Sequence, residues 1–308
     1  VILFNITFSK TSITLDERVT KVSIANSSKT SISGNMQLGD IDYKSIIVNN
    51  DEYIQLILPG YHNSNLLGSP ELPEIHTLIE IPYGAYYEIQ IKSKVVESYS
   101  LEDYNIRAPI YPRQPSLSKS QNVNDVEFQI NKDVYNEDKF IVNELINLDL
   151  KGQLRSLNLA NLIIRPIDYN PIKGIINIVK EIEFEISFIG ADVIKSDHVK
   201  QTYYSPYFES VYRQIDNYDS KLNDDLVDYP VTYVIITNPI FLNTLTEFVE
   251  WKTKKGFHVL IGNTAEIGSS TSAIKNYIED LYNNPADGMS PPSFVLFVGD
   301  VAQVPTYS

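Results

Sequence analysis

Cysteine is missing from this sequence of 308 residues, tryptophan occurs once and methionine twice. Without cysteine, this stretch of chain contains no disulfide, no metal site with thiolate ligands and no cysteine nucleophile. Basic residues are also scarce, since 25 Lys and Arg stand against 39 Asp and Glu, for a formal net charge of −14. Nucleic-acid binding needs clustered Lys and Arg, so we expect no nucleic-acid partner. No apolar run approaches the ~20 residues of a transmembrane helix, so we expect no membrane span.

The remaining composition is typical of a folded protein. The chain is 43% hydrophobic and 21% charged, and its 21 tyrosines favour strands. Its length is sufficient for two domains, because single hydrophobic cores stop growing at roughly 250–300 residues. The opening segment VILFNITFS, Val1–Ser9, fits either a first strand or the end of the apolar region of a signal peptide.

Residues 1–190 show the period-two alternation of strands that have one solvent-facing side. In IEFEISF, at 182–188, apolar residues alternate with Glu and Ser, and YEIQIKS at 87–93 and VEFQIN at 126–131 alternate in the same way. Turn-forming residues separate these runs. The pattern predicts an antiparallel β-sandwich without helices over this half of the chain.

Residues 191–230 have a different character. The stretch SPYFESVYRQIDNY, at 205–218, is compatible with a short helix. The stretch DSKLNDDLVDYP that follows, at 219–230, is acidic and polar and ends in proline, which is typical of an exposed linker. The spacing of its aspartates fits no calcium-binding loop, so we predict no metal site there.

Residues 231–308 change to a βαβαβ pattern, which predicts a parallel sheet with right-handed crossovers. The apolar runs TYVIIT, FHVLIG and FVLFVGD are the predicted strands. Asn238 and Pro239 predict the start of the first helix and Gly256 its end, and Ser270 or Thr271 predicts the start of the second. The carboxyl ends of the strands fall at Thr237-Asn238, Gly262-Asn263 and Gly299-Asp300.

No complete set of catalytic residues is visible. The first strand-to-helix turn, TNPIFLN, has no glycine, which argues against nucleotide-binding loops, and the sequence contains no GxSxG elbow. The four histidines lack the spacing of a helical zinc site. Sites in α/β proteins lie at the carboxyl ends of strands, so Asp300 is the best single candidate for a functional carboxylate. An aspartate in this place can equally cap the turn that follows.

The sequence closely resembles the gingipain-type cysteine peptidases (family C25). FVEWKTKKGFHVLIGNTAEIGSSTSAIKNYIEDLYNN and FVLFVGDVAQVP resemble the start of their catalytic domain. Upstream, GSPELPEIHTLIEIPYGAYYEIQI resembles the G-x-P-x-L-P and I-P-x-G-A pattern of the family's propeptide. GQLRSLNLANLIIRPIDYNPIKG resembles its G-x-x-R and P-x-x-Y-N-P strand pair. The resemblance covers about residues 65–305 across both halves of the chain.

The resemblance implies the N-terminal part of a secreted or surface-located bacterial zymogen. Residues 1–190 would be a β-rich propeptide domain, 191–230 a linker with the activation cleavage, and 231–308 the first, truncated part of a caspase-like peptidase domain. The family's Cys-His dyad would lie beyond Ser308, and Gly299 and Asp300 would belong to the scaffold near it. The implied partners are protein or peptide substrates and the protein's own propeptide. We therefore expect this fragment alone to be inactive.

The resemblance also implies individual roles. The family's propeptide blocks the specificity pocket with a basic side chain from a loop, and the corresponding KDVYNEDKFI contains Lys139, our first candidate, and Lys132, our second. A solvated loop lysine is an equal alternative. Lys221 or Arg213 would be the activation cleavage site. Calcium binding is an expectation from the family, without assignable ligands in this segment.

Two other functions stay open at the level of sequence. One is a C25-type surface sortase of a bacterial secretion system, which would share the dyad. The other is a catalytically inactive caspase-like domain that serves as a binding or adhesion module. Residues downstream of Ser308 would distinguish them from a secreted endopeptidase.

Overall fold

A computed structural model describes residues 11–121, 126–141, 144–220 and 230–307. The segment Val1–Ser9, for which the sequence allowed a strand or a signal-peptide remnant, lies outside these ranges. The chain divides into two compact units. The first comprises Val1–Gly152, Asn158–Val193 and Ile215–Asn217, and the second Gln153–Leu157, Ile194–Gln214 and Tyr218–Ser308. The boundaries predicted at 190 and 230 stay predictions.

The first unit is built from strands that pair antiparallel. Their bounds are β1 Thr11–Ile13, β2 Lys21–Ser28, β3 Ser31–Gln37, β4 Ile41–Val48, β5 Asp51–Ile57, β6 His62–Asn63, β7 Pro73–Glu80, β8 Tyr86–Ser100, β9 Ile146–Leu154, β10 Leu157–Ile164, β11 Ile167–Asn170 and β12 Ile175–Ile189. They form three sheets with the strand orders β1-β4-β5, β6-β7-β10-β9 and β11-β12-β3-β2, with β8 also paired to β12. The antiparallel pairing is the one that the alternating pattern predicts, but VEFQIN at 126–131 alternates in the same way and forms no strand.

Along β12 the apolar residues of that alternation point into the core of the first unit, whereas Tyr87 and Ile91 of β8 are exposed. Along β12 Ile182, Phe184 and Ile186 are buried, at 1%, 2% and 0% exposure. Phe184 lies over Gly34 of β3, whose missing side chain makes room for the ring. The periodicity seen in the sequence is therefore the burial pattern of the folded strand.

Among the described residues of the first unit, two short helical turns differ from the prediction of a helix-free half. They are a 3-10 helix over Leu101–Tyr104 and α1 over Lys132–Tyr135. The side chain of Asn131 accepts a hydrogen bond from the Val134 backbone and so caps α1. Four residues are too few to show a helical period, which is why the pattern misses them.

The second unit contains the predicted parallel sheet, with the order β14-β13-β15. Its strands are β13 Thr232–Thr237, β14 His258–Asn263 and β15 Phe294–Val298, and both pairings are parallel. After β13 come a 3-10 helix, Pro239–Leu245, and α4, Thr246–Lys254; α5, Thr264–Ile267, and α6, Thr271–Asn283, separate β14 from β15. The fold class, β followed by α/β, is confirmed.

The helix ends of this unit follow the sequence signals. Asn238 caps the first helical segment by accepting from the backbone of Ile240, although its first turns are 3-10. Ser270 caps α6 by accepting from Ala273, and Gly256 adopts a φ of 88° after α4. Val234, Ile236 and Ile274 are buried in the core.

The segment 193–212, within the region 191–230 that was predicted as a linker, holds more structure than the sequence predicts. It contains α2 over Val193–Tyr203, a 3-10 turn over Pro206–Phe208 and α3 over Glu209–Tyr212. The sequence predicted a short helix only within 205–218. It did not predict α2, because the apolar residues of α2 form no single stripe. Among the described residues no helix combines the length and the apolarity needed to cross a bilayer.

Candidate functional site

The carboxyl edge of the parallel sheet is the first candidate site, and its polar residues serve as caps. The side chain of Asn263 accepts from the backbone of Ala265 at 3.0 Å. The Asp300 carboxylate accepts from the backbone of Val301 at 2.7 Å, and its own amide donates to the side chain of Gln303 at 2.9 Å. Asp300 is thus used to hold the turn after β15, one of the two roles that the sequence allowed.

Gly299 has a local structural reason for being glycine. Its φ is 135°, a conformation that residues with side chains rarely adopt. A Cβ here would lie 3.0 Å from the Cβ of Gln303 and 3.4 Å from the ring of Phe241. Gly299 and Asp300 together therefore shape the exit of β15, and any part in catalysis stays a prediction.

β15 lies at the edge of the sheet in the described part of the chain. Two of its apolar side chains are exposed, Val295 at 38% and Phe297 at 53%. Beside it a groove of about 590 Å³ is lined mainly by apolar groups of α6 and the segment after β15, including Ile274, Ile278 and Tyr307. An edge strand with an exposed apolar surface is a place for further strands or a covering element.

The loop that holds Lys139 is the second candidate site. The loop is fixed at both sides: Tyr135 donates to the carbonyl of Ile110 at 2.6 Å, and the Ile141 amide donates to the carbonyl of Tyr169 at 3.0 Å. Between them the Asp138 carboxylate accepts from Asn170 at 2.9 Å. The loop therefore has a defined position at the surface of the first unit.

Lys139 itself projects from this fixed loop. Its side chain is 65% exposed, and its ammonium pairs with Glu137 at 2.7 Å. An exposed ion pair of this kind stabilises by only about 0–1 kcal/mol, so the ammonium can exchange Glu137 for another partner. Lys132, the second candidate, is exposed in the first turn of α1.

The two predicted cleavage sites differ in their surroundings. Lys221 lies outside the described residues. Arg213 directly follows α3, its side chain donates to Glu209 at 3.0 Å, and its neighbour Tyr212 is fully buried. Cleavage at Arg213 would first require that this helical turn unfold.

The carboxylate of Glu209 accepts hydrogen bonds from three side chains of the segment 204–218. It accepts from Tyr218 at 2.7 Å, from Tyr204 at 3.3 Å and from Arg213. Burial by itself would raise the pKa of Glu209, but the hydrogen bonds from Tyr218 and Arg213 outweigh it and lower the pKa. The ionised carboxylate thus joins three parts of the segment from 204 to 218.

Arg155, which lies in the turn between β9 and β10, had no role predicted from the sequence. In the second unit its guanidinium donates to the carbonyl oxygens of Pro292 at 2.9 Å and Pro291 at 3.0 Å. Arg155 is the basic residue of the G-x-x-R pattern. The motif therefore marked this residue in the sequence, but it did not indicate which groups the arginine binds. Within the described ranges there is no group of three or more His, Asp or Glu arranged to hold a metal ion.

Two models of one peptidase family match this chain. The family model Propeptide_C25 matches residues 11–203, and Peptidase family C25 matches residues 227–308. The chain is 30% identical to Lys-gingipain HG66 of Porphyromonas gingivalis over 94% of its own length and 17% of that protein's. It is 25% identical to gingipain R2 of the same species, over 70% of this chain and 29% of the relative. The chain therefore spans less than a fifth of the Lys-gingipain.

Two solved structures are similar in fold. The first is described as "Structural insight into zymogenic latency of gingipain K from Porphyromonas gingivalis", with a TM-score of 0.55 and 28% identity, covering 59% of this chain and 100% of that one. The second is the complex of the pro- and mature domains of RgpB, with a TM-score of 0.52 and 17% identity, covering 64% of this chain and 98% of that one.

Proposed function

Since this chain belongs to the gingipain family of cysteine peptidases (C25), as a propeptide followed by the first part of the peptidase, we propose that it begins a secreted cysteine endopeptidase zymogen. The resemblance predicted from the sequence is thereby confirmed. The chain is 30% identical to the Lys-gingipain over 94% of its length, and this similarity favours an endopeptidase over a sortase or an inactive adhesion module. The protein would be located outside the bacterial cell or on its surface.

The proposed enzyme would take its nucleophile from outside these 308 residues, since they contain no cysteine. Peptide hydrolysis by this class needs a thiolate and a histidine that protonates the leaving amine. The described segment supplies the parallel strands, the turn at Gly299 and an uncovered edge at β15, onto which further strands of a peptidase domain would pair. Calcium binding stays an expectation from the family, without assigned ligands.

The observation that carries the proposed latency is the exposed ammonium of Lys139 on a fixed loop. One relative is named Lys-gingipain, which indicates that it acts at lysine. A propeptide that offers a lysine side chain would occupy the specificity pocket of such an enzyme as a substrate does. We therefore propose Lys139 as the blocking residue and cleavage after lysine as the specificity of the mature enzyme.

Activation would follow cleavage in the linker. Of the two candidates we propose Lys221 over Arg213, because peptidases bind extended segments whereas Arg213 is held by Glu209 next to the fully buried Tyr212. Lys221 also fits an enzyme that cleaves after lysine and so could process itself.

The test uses the full-length precursor with four matched substitutions. We expect Lys139→Ala to raise the activity of the uncleaved precursor on a lysyl substrate about tenfold or more, and Lys132→Ala to leave it unchanged. Lys221→Ala should delay maturation, and Arg213→Ala should not, as read by N-terminal sequencing of the product. Equal latency of the Lys139→Ala and wild-type precursors would remove Lys139 from this role, and a full-length protein without lysyl peptidase activity would refute the proposed specificity.

A further inference from the structure

The turn between β9 and β10 carries an unusual arginine. Arg155 has a φ of 51°, in the left-handed region, although it is not glycine. Such a conformation is unfavourable for a residue with a side chain and persists where surrounding contacts fix it. Gln153 contributes one of these contacts, since its side-chain amide donates to the carbonyl of Arg155 at 2.5 Å.

The surroundings of the Arg155 side chain form a site of defined chemistry. Its two terminal nitrogens donate to two consecutive carbonyl oxygens, those of Pro291 and Pro292, and both prolines are buried. Its Cζ lies 5.3 Å from the ring centroid of Phe208 and 6.0 Å from that of Tyr282, within the range of cation–π attraction. The site thus combines a fork of two acceptors with aromatic faces.

The guanidinium is held without a counter-charge. In the described part of the chain no carboxylate pairs with Arg155, and its Nε is buried without an acceptor. Burial lowers the pKa of this arginine, as expected for a cation removed from water among neutral groups. Lysine would not replace it well, because a single ammonium cannot reproduce two parallel hydrogen bonds from a planar fork.

Residues on either side of the linker meet in this unit. Arg155 lies in the region that matches the family propeptide, 11–203, while Tyr282, Pro291 and Pro292 lie in the region that matches the peptidase, 227–308. Pro291 and Pro292 precede β15, so the contact is at the amino end of the parallel strands. The cap residues Asn263 and Asp300 lie at the opposite, carboxyl ends.

A second set of contacts, also within the second unit, joins the segment 203–212 to the region that matches the peptidase. Tyr207 contacts Phe257 and Phe294, with ring centroids 5.3 and 5.1 Å apart. Ser205 and Ser293 hydroxyls lie 2.9 Å apart. One partner of each contact precedes the proposed cleavage site Lys221 in sequence and the other follows it, so cleavage there leaves these contacts in place.

We propose that Pro291, Pro292 and Tyr282 form a guanidinium-binding site of the peptidase region, and that its occupant Arg155 anchors the propeptide there after the linker is cut. The anchor is a different element from the loop of Lys139. Blocking and retention would therefore be separable: one residue closes the specificity pocket and the other slows the departure of the propeptide.

The first experiment tests the site in the 308-residue chain and does not depend on the proposed function. Amide hydrogen exchange is measured by mass spectrometry for peptides that cover 153–157 and 289–295. We expect Arg155→Ala to exchange about tenfold faster or more in both peptides, since hydrogen bonds to a charged group contribute strongly to local protection. Lys151→Ala is the matched control, an exposed cation of the same hairpin that pairs with Asp149, and should leave both peptides unchanged.

Arg155→Lys separates the fork from the charge. It keeps the cation and most of the stem, and should still exchange at least about threefold faster than the wild type. Wild-type protection in Arg155→Lys would overturn a site specific for guanidinium, and wild-type protection in Arg155→Ala would overturn the site altogether. Should Arg155→Ala fail to fold, the Lys variant decides.

The second experiment measures retention and rests on the proposed function. In the full-length precursor cleaved at the linker, we expect Arg155→Ala to speed the release of the propeptide about 10- to 100-fold in size-exclusion or surface-binding measurements. Lys139→Ala should raise activity within the undissociated complex. If the wild-type propeptide does not inhibit the enzyme, the proposed latency is refuted, while hydrogen exchange still tests the Arg155 site. If the propeptide inhibits but the Arg155→Ala variant dissociates no faster than the wild type, only the anchoring role is refuted.

Discussion

The ring of Tyr203 stacks on the ring of Tyr282, with centroids 5.0 Å apart and planes within 26° of each other. Tyr203 ends α2, and Tyr282 lies in the last turn of α6, 79 positions further along the chain. In this pair, as in the Arg155 contacts, a residue that precedes the acidic stretch 219–230 packs on a residue that follows it within the second unit.

Removing this stacked pair should weaken the second unit. We expect Tyr203→Ala to lower the free energy of unfolding of that unit by about 1–2 kcal/mol, because an aromatic pair contributes beyond its buried area. Trp251 is the single tryptophan of the chain and belongs to the second unit, so its fluorescence during urea unfolding reports on that unit. Tyr86→Ala, a tyrosine of the first unit at 79% exposure, is the control and should not shift the transition. An unchanged midpoint in Tyr203→Ala would show that the stacking contributes nothing.

A methyl group at Gly34 should destabilise the first unit. A Cβ there would lie 2.2 Å from the ring of Phe184, which is only 2% exposed and has little space to move. We expect Gly34→Ala to lower the free energy of unfolding by about 1–3 kcal/mol, measured by circular dichroism during urea unfolding. Asn35→Ala, on the exposed face of the same strand, is the control. The double variant Gly34→Ala with Phe184→Leu should be less unstable than the sum of the single changes, and strict additivity would contradict the clash.

Gly299 and Asp300 should differ in what their substitution does. Gly299→Ala places a side chain at φ 135°, and we expect it to lower the free energy of unfolding of the second unit by about 1–3 kcal/mol. Asp300→Ala removes a turn cap and should cost about 1 kcal/mol. Both are read from Trp251 fluorescence. In the full-length enzyme, Asp300→Ala should keep activity within about tenfold of the wild type. A loss above about a hundredfold at unchanged stability would instead assign Asp300 a part in catalysis.

Acid should release the contacts of Glu209. The pKa of Glu209 is lowered in the folded protein, so its ionised form stabilises the second unit at pH values above the ordinary glutamate pKa of about 4.3. This contribution is lost as the pH falls through the lowered folded pKa. We expect wild type and Glu209→Gln to differ in urea midpoint above about pH 5 and to converge towards pH 3. The measurement is Trp251 fluorescence across that range, and a constant difference at every pH would argue against titration of Glu209.

Local signals predicted many parts of this structure because the physics behind them is local. The alternation in 182–188 reads directly as burial along β12, and Asn238, Gly256 and Ser270 mark helix ends through hydrogen bonds and backbone freedom within a few residues. The helices α2 and α1 were not predicted. The apolar residues of α2 form no stripe, and α1 has too few residues to show a helical period.

The sequence by itself determined the two successive patterns, the family and the absence of a cysteine nucleophile in this stretch, because composition, periodicity and motif order are written along the chain. Only the tertiary structure decided that Asp300 holds a turn, that Lys139 projects from a fixed loop and that Arg155 binds the carbonyls of Pro291 and Pro292. The G-x-x-R pattern identified Arg155 as part of a motif, but the two prolines that the arginine binds lie more than 130 positions away in sequence. Contacts over such separations depend on how the chain packs, and no local propensity specifies them.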